Sequence, residues 1–279
     1  MSAIGILLIL AGLGLLAWPI ATDWYYARQA EESISEVVSV YDDMDDPDRV
    51  ANLEQARAYN ARLAGLPFEE PEGGIWDYRT QLTYKGTPES MMAWVDIPSI
   101  STRLPIFHYT TEEVLSAGVG HVEWSSLPVG GEGTRCVLSA HSGMQNTRMF
   151  DDIRELEEGD TFVLWSLSEP YAYRVCDIRV VMPDEVDAVG AEPGRDLCTL
   201  VTCTPFGVNT HRLLVTGERC EYVEEVATEG AKPYVNRRTG PLLAGAAVLI
   251  ALLVAIVVMR VRARRRRRAA SASPAGIAA

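Results

Sequence analysis

The chain has 279 residues, 48% hydrophobic and 23% charged, with 25 Lys+Arg against 38 Asp+Glu and a formal net charge of −13. The acidic balance argues against nucleic acid as a partner. Seven of the 25 basic residues, Arg260, Arg262 and residues 264–268, crowd one end, so the remainder holds 18 against the same 38 acids. That remainder is built for solubility rather than for docking on anionic lipid.

Residues 3–20 are almost wholly apolar and residues 242–259 wholly so. At about 1.5 Å per residue, ~18 residues reach about 27 Å, close to the ~30 Å hydrocarbon core. Both stretches read as transmembrane helices. The first has no Lys or Arg ahead of it and exceeds the usual h-region length, which favours an uncleaved anchor over a signal peptide. The arginine block after the second belongs in the cytoplasm. Two passes then put both termini inside and the middle outside. The expected organisation is 1–22 anchor, 23–90 helical segment and lid loop, 91–222 β-rich domain, 223–240 linker, 241–259 second span and 260–279 basic tail.

After the first span, Ile34, Val37, Val38 and Tyr41 share a helical face. An acidic break with Pro47 precedes a second helical stretch over 49–63. Residues 65–74 are a Gly/Pro-rich loop, with the aromatics Phe68 and, just beyond, Trp76; such a loop is either pinned to the domain or serves as a lid. From Met92 the pattern becomes short strands, expected at 93–97, 102–107, 135–139, 161–167, 171–182, 197–203 and 211–219, with turn signals between them. That spacing predicts a mostly β protein with a closed or nearly closed barrel. Short helices are expected near 112–117 and 147–156, and His108 and His121 fall in loops.

Five cysteines are present: Cys136, Cys176, Cys198, Cys203 and Cys220. An odd number in an external domain leaves at least one free thiol. No CxxC pair occurs, and the spacings match no zinc site. Cys203 ends the strand-like run Thr199-Leu200-Val201-Thr202-Cys203, just before Thr204-Pro205. A thiolate is the reactive form, and nearby positive charge favours it. His141, at a strand-to-loop junction in Ser139-Ala140-His141-Ser142-Gly143, is placed to protonate a leaving amine. Arg212, ahead of Leu213-Leu214-Val215, offers a fixed fork of donors to an oxyanion. Its neighbour His211 points to the opposite face. A papain-like hydrolase does not fit, because its cysteine lies near the mature N-terminus.

These segments resemble the sortases, cysteine transpeptidases of Gram-positive cell surfaces. Thr199-Leu200-Val201-Thr202-Cys203 matches the Thr-Leu-x-Thr-Cys signature, and residues 138–143 and 209–215 resemble the histidine and arginine segments. The likeness runs from about Ala93 to Arg219, including Val119-Gly120-His121 and residues 127–131. Within the family it is most similar to class C, the pilin-polymerising sortases. The resemblance implies an eight-stranded barrel with His141, Cys203 and Arg212 as the catalytic three and Thr202 beside the substrate. It further implies a Leu-Pro-x-Thr-Gly-like signal as donor, a pilin lysine as acceptor, and no metal or organic cofactor. A peptidoglycan-anchoring sortase and an inactive membrane-tethered scaffold are the alternatives. Class C members carry an Asp-Pro-aromatic lid; here it reads Leu66-Pro67-Phe68, with Trp76 as a second anchor. Ser142 stands where an arginine often follows the histidine.

Overall fold

The computed structural model describes residues 3–71, 73–83, 91–144, 147–223, 245, 250 and 258–263. It divides into two units, Met1–Ala21 with Val235–Ala279, and Thr22–Tyr234. The site lies in the second.

Eight strands form that unit: β1 (Met91–Ile97), β2 (Thr102–His108), β3 (Val119–His121), β4 (Thr134–Ser139), β5 (Thr161–Ser166), β6 (Glu169–Val181), β7 (Asp196–Thr204) and β8 (His211–Arg219). They close in the order β1-β2-β3-β4-β7-β8-β6-β5. Two of the pairings, β2–β3 and β4–β7, are parallel. Parallel neighbours need a crossover. The β2–β3 crossover contains helix α3 (Glu112–Ala117), whose N-cap Thr111 accepts from the Val114 N–H.

An eight-stranded barrel is just wide enough for its own side chains to fill. Here Phe162 and Tyr173 stack at 5.6 Å in the core. A Cβ on Gly217 would meet that pair at 2.7–2.9 Å, so only glycine fits on the strand crossing them. Alternation along β4, β7 and β8 sends Cys136, Leu138, Cys198, Leu200, Leu213 and Val215 inward. It sends Val137, Val201 and Leu214 into a second, outer cluster with Val189.

Helix α1 spans Ala3–Asp42 and α2 spans Asp46–Ala64. Among the described residues no helix is long and apolar enough to cross a membrane. The second expected span, 242–259, falls mostly outside the described residues, as do most of the linker and of the basic tail. Within Thr22–Tyr234, Ile34, Val37, Tyr41, Leu53 and Ala56 are buried in the main core, which is the face the helical spacing marked. Asn60 fixes α2 to the barrel at two points. Its amide donates to the Leu127 carbonyl at 3.0 Å, and its oxygen accepts the Leu127 N–H at 2.7 Å.

Three expectations need correction. The 147–156 region holds a single 3₁₀ turn, Ile153–Glu155, rather than an α-helix. The three-residue β3 is too short to show as a period-2 run. His108 and His121 are not loop residues: they end β2 and β3, face each other in register and are fully buried.

Asn60→Ala leaves two buried backbone groups of Leu127 unpaired. The expected loss is about 2–3 kcal/mol of stability in urea denaturation.

Candidate active site

Parallel register builds the site. Each β4 residue lies beside the β7 residue 62 positions later, from Thr134↔Asp196 to Ser139↔Val201. The same ladder continues past the end of β4. The Ala140 N–H donates to the Val201 carbonyl at 3.1 Å, the Thr202 hydroxyl to the Ala140 carbonyl at 2.8 Å, and the Ser142 hydroxyl to the Cys203 carbonyl at 2.6 Å. His141 is held between these bonds and so lies alongside Cys203. On the other flank, the antiparallel β7–β8 register sets Cys203 directly opposite Arg212. Three side chains distant in sequence thus come from three adjacent strand ends.

Alternation sets the face. Val201 and Leu214 point to the outer cluster, so Cys203 and Arg212, two residues along each strand, point outward as well. The outer cluster includes Val186 and Val189, within and just after the 3₁₀ segment Pro183–Ala188. The result is an apolar outer face running up to a half-buried thiol.

Each of the three has a further tie. The His141 Nε2 lies 3.5 Å from the Glu112 carboxylate at the start of α3. The His141 carbonyl accepts from the Phe150 N–H at 3.1 Å. The Arg212 Nη1 donates to the carbonyls of Asn209 and His211 at 3.3 and 3.1 Å, which folds its guanidinium over the 205–209 turn. That turn follows a cis Thr204–Pro205 bond. Its Phe206 ring lies under Arg154 at 5.1 Å. His211 instead meets the Thr210 hydroxyl at 2.9 Å.

Chemically, this arrangement offers a nucleophile, a group that can carry a proton to and from a leaving or attacking amine, and a fixed cation opposite the sulfur. Thr202 is buried and its hydroxyl is committed to Ala140, so it locks the two strand ends together instead of presenting itself to a substrate. Glu112 and Ser142 were not singled out as site residues by sequence. Nothing in the local pattern brings a glutamate 29 positions upstream beside His141; only the β2–β3 crossover does so.

The expected lid is elsewhere. Gly65 caps α2 in the left-handed region at φ 66°, and the Leu66 N–H returns to the Ala61 carbonyl at 2.8 Å. The Leu66 side chain then lies against Gly133, just ahead of β4. Cys203 is seven residues along β7 from Asp196, the partner of Thr134, or about 23 Å at ~3.3 Å per residue. Phe68 packs edge-on to Trp76 at 5.6 Å, Arg62 covers Trp76 at 4.5 Å, and Gln55 bonds both the N–H and carbonyl of Ile75. Leu66 is therefore placed at the end of the barrel where β4 begins, while Phe68 and Trp76 pack on each other and on α2.

The chain before β1 does reach the barrel through Tyr78. The His121 Nε2 lies 2.8 Å from the Ser126 carbonyl, an acceptor only, so it carries the hydrogen. The Tyr78 hydroxyl then donates to Nδ1 at 2.8 Å and accepts from the Tyr109 N–H at 3.3 Å. The His108 Nε2 meets the Gln81 carbonyl at 2.9 Å.

The family profile for the sortase domain matches residues 95–220. Sortase C1 of Streptococcus agalactiae, from GBS Pilus Island 1, is 36% identical with a TM-score of 0.63, over 70% of this chain and 94% of that one. A sortase C of Clostridium perfringens, solved with the C-terminal cell wall sorting motif, is 36% identical with a TM-score of 0.60, over 69% and 100%. Sortase A of Bacillus anthracis is 32% identical over 124 residues, 44% of this chain and 57% of that protein. The chain spans little more than half the length of such curated relatives. Fold and sequence agree: the chain belongs to the sortase family of cysteine transpeptidases. Its structural neighbours include class C sortases.

Phe68→Ala and Trp76→Ala are expected to leave the rate of Cys203 labelling by a small thiol reagent within about twofold of the parent, because these rings pack on each other and on Arg62 of α2. A large acceleration would return them to the cleft.

Proposed function

We propose that this chain is a membrane-anchored class C-type transpeptidase that cuts a Leu-Pro-x-Thr-Gly-like signal between Thr and Gly and joins the threonyl group to an amine, a pilin lysine. The observation that carries the reading is the placement of Cys203 between the His141 segment and Arg212 on adjacent strands. The Cys203 thiolate attacks the threonyl carbonyl, and Arg212 holds the resulting oxyanion. His141 gives its proton to the departing glycine amine as the C–N bond breaks, leaving a thioester. The incoming amine then attacks the thioester carbonyl, loses its proton to His141, and frees the thiolate.

Membrane attachment rests on the sequence: the apolar runs 3–20 and 242–259, and the arginine block that follows the second. Under that topology the barrel is outside the cell with both termini inside. Pilin chemistry is supported by the pilus origin of the Streptococcus agalactiae neighbour. A cell-wall amine as acceptor is the second reading, favoured by the sortase A relatives.

Cys203→Ala is expected to abolish the acyl-enzyme seen by mass spectrometry with a signal peptide. Arg212→Ala should lower kcat by about 10²–10³, and Arg212→Lys should recover only part, since a point charge replaces a fork. Persistent thioester in the alanine variant at 203 would refute the assignment. Offering purified pilin and a cell-wall peptide together identifies the acceptor by which one is joined.

A further inference from the structure

The barrel holds a second pair of sulfur atoms, remote from the nucleophile. Cys136 and Cys198 are direct partners in the β4–β7 register. Both point into the core and are buried, at 2% and 0% exposure. The structure holds both as free thiols.

We propose that Cys136 and Cys198 are the site of a cross-strand disulfide, formed while the chain folds in the presence of a disulfide oxidant. In-register strand neighbours lie about 4.8 Å apart, inside the Cα separation of roughly 4.4–6.8 Å that a disulfide spans. The other cysteines are not so placed. Cys203 faces outward opposite Arg212. Cys176 donates to the Thr216 carbonyl, while the Cys220 N–H bonds the Ala172 carbonyl, at a different level of the sheet. Of five thiols, the geometry therefore selects one pair and leaves the nucleophile out of it.

The exchange balances with a small-molecule or protein disulfide as oxidant. One cysteine thiolate attacks that disulfide, forming a mixed disulfide and releasing one oxidant thiol. The second thiolate then attacks the mixed disulfide, closing the Cys136–Cys198 bond and releasing the other. Two thiol protons pass to the two oxidant sulfurs, and two electrons reduce the oxidant. Burial opposes ionisation at both positions. At Cys136 the proximity of Cys198 and His121 outweighs it and lowers the thiol below its ordinary range, whereas Cys198 stays well above its own. The closed core admits no oxidant, so the first step precedes the zipping of β4 against β7.

The test is independent of acyl transfer. The full chain, refolded in detergent with a reduced and oxidised glutathione mixture, is quenched with N-ethylmaleimide under denaturing conditions and mapped by mass spectrometry. The expected product is one peptide linking Cys136 to Cys198, with Cys203 alkylated. Its melting midpoint should exceed that of the dithiothreitol-treated protein by roughly 5–15 °C, given a loop of about 60 residues. Cys198→Val should melt at the same temperature with or without reductant. Recovery of Cys136 and Cys198 both alkylated in the oxidised, folded protein overturns the proposal, as does a bridge from either to another cysteine. Where the variant does not fold, the wild-type map alone decides.

Discussion

The parallel pairing of β4 with β7 is the constraint on which the site depends. Parallel strands run to the same end of a sheet, so the residues that follow them emerge side by side. A fixed offset of 62 positions therefore converts two remote motifs into neighbours. Antiparallel pairing at the same place would send His141 and Cys203 to opposite ends of the barrel. The hydrogen bonds of Thr202 and Ser142 carry this order beyond the last formal pair, where the chain would otherwise be free to fray. The β7–β8 hairpin adds Arg212 by the simpler route of a short turn.

The helices set a different boundary condition. α2 is tied to the barrel by the paired bonds of Asn60 and Leu127, and the 65–76 strap folds back on α2 through Gln55 and Arg62. Those contacts are local to the helix, and they hold the strap's aromatics against α2. Access to Cys203 is then governed by what surrounds the strand ends, namely the 205–209 turn, the Glu112 end of α3 and the 3₁₀ segment at Pro183–Ala188.

Much of this was legible in the sequence, for physical reasons. β1, β2 and β4 to β8 each carry a run of β-branched or apolar residues bounded by turn residues, so their existence showed. The Cys203 and Arg212 segments also showed, since both end or begin such runs. What did not show was anything carried by tertiary pairing alone. Three residues of β3 have no measurable period, and His108 and His121 sit inside it and β2 because the strands pair, not because histidine favours strands. The aromatics of the 66–76 strap advertise burial without saying against what. Gly65, by turning the chain back along α2, decided that question through backbone geometry.

Tyr78 bears on where this molecule can be cut. The matched family region starts at residue 95, yet the His121 imidazole inside the barrel finds its Nδ1 partner at residue 78, and His108 finds a carbonyl at 81. A fragment trimmed to the family boundary would lack β1's first residues and would strip two interior rings of those contacts. The packing of the barrel interior extends upstream to Tyr78, so the domain as a unit of inheritance is shorter than the domain as a unit of packing.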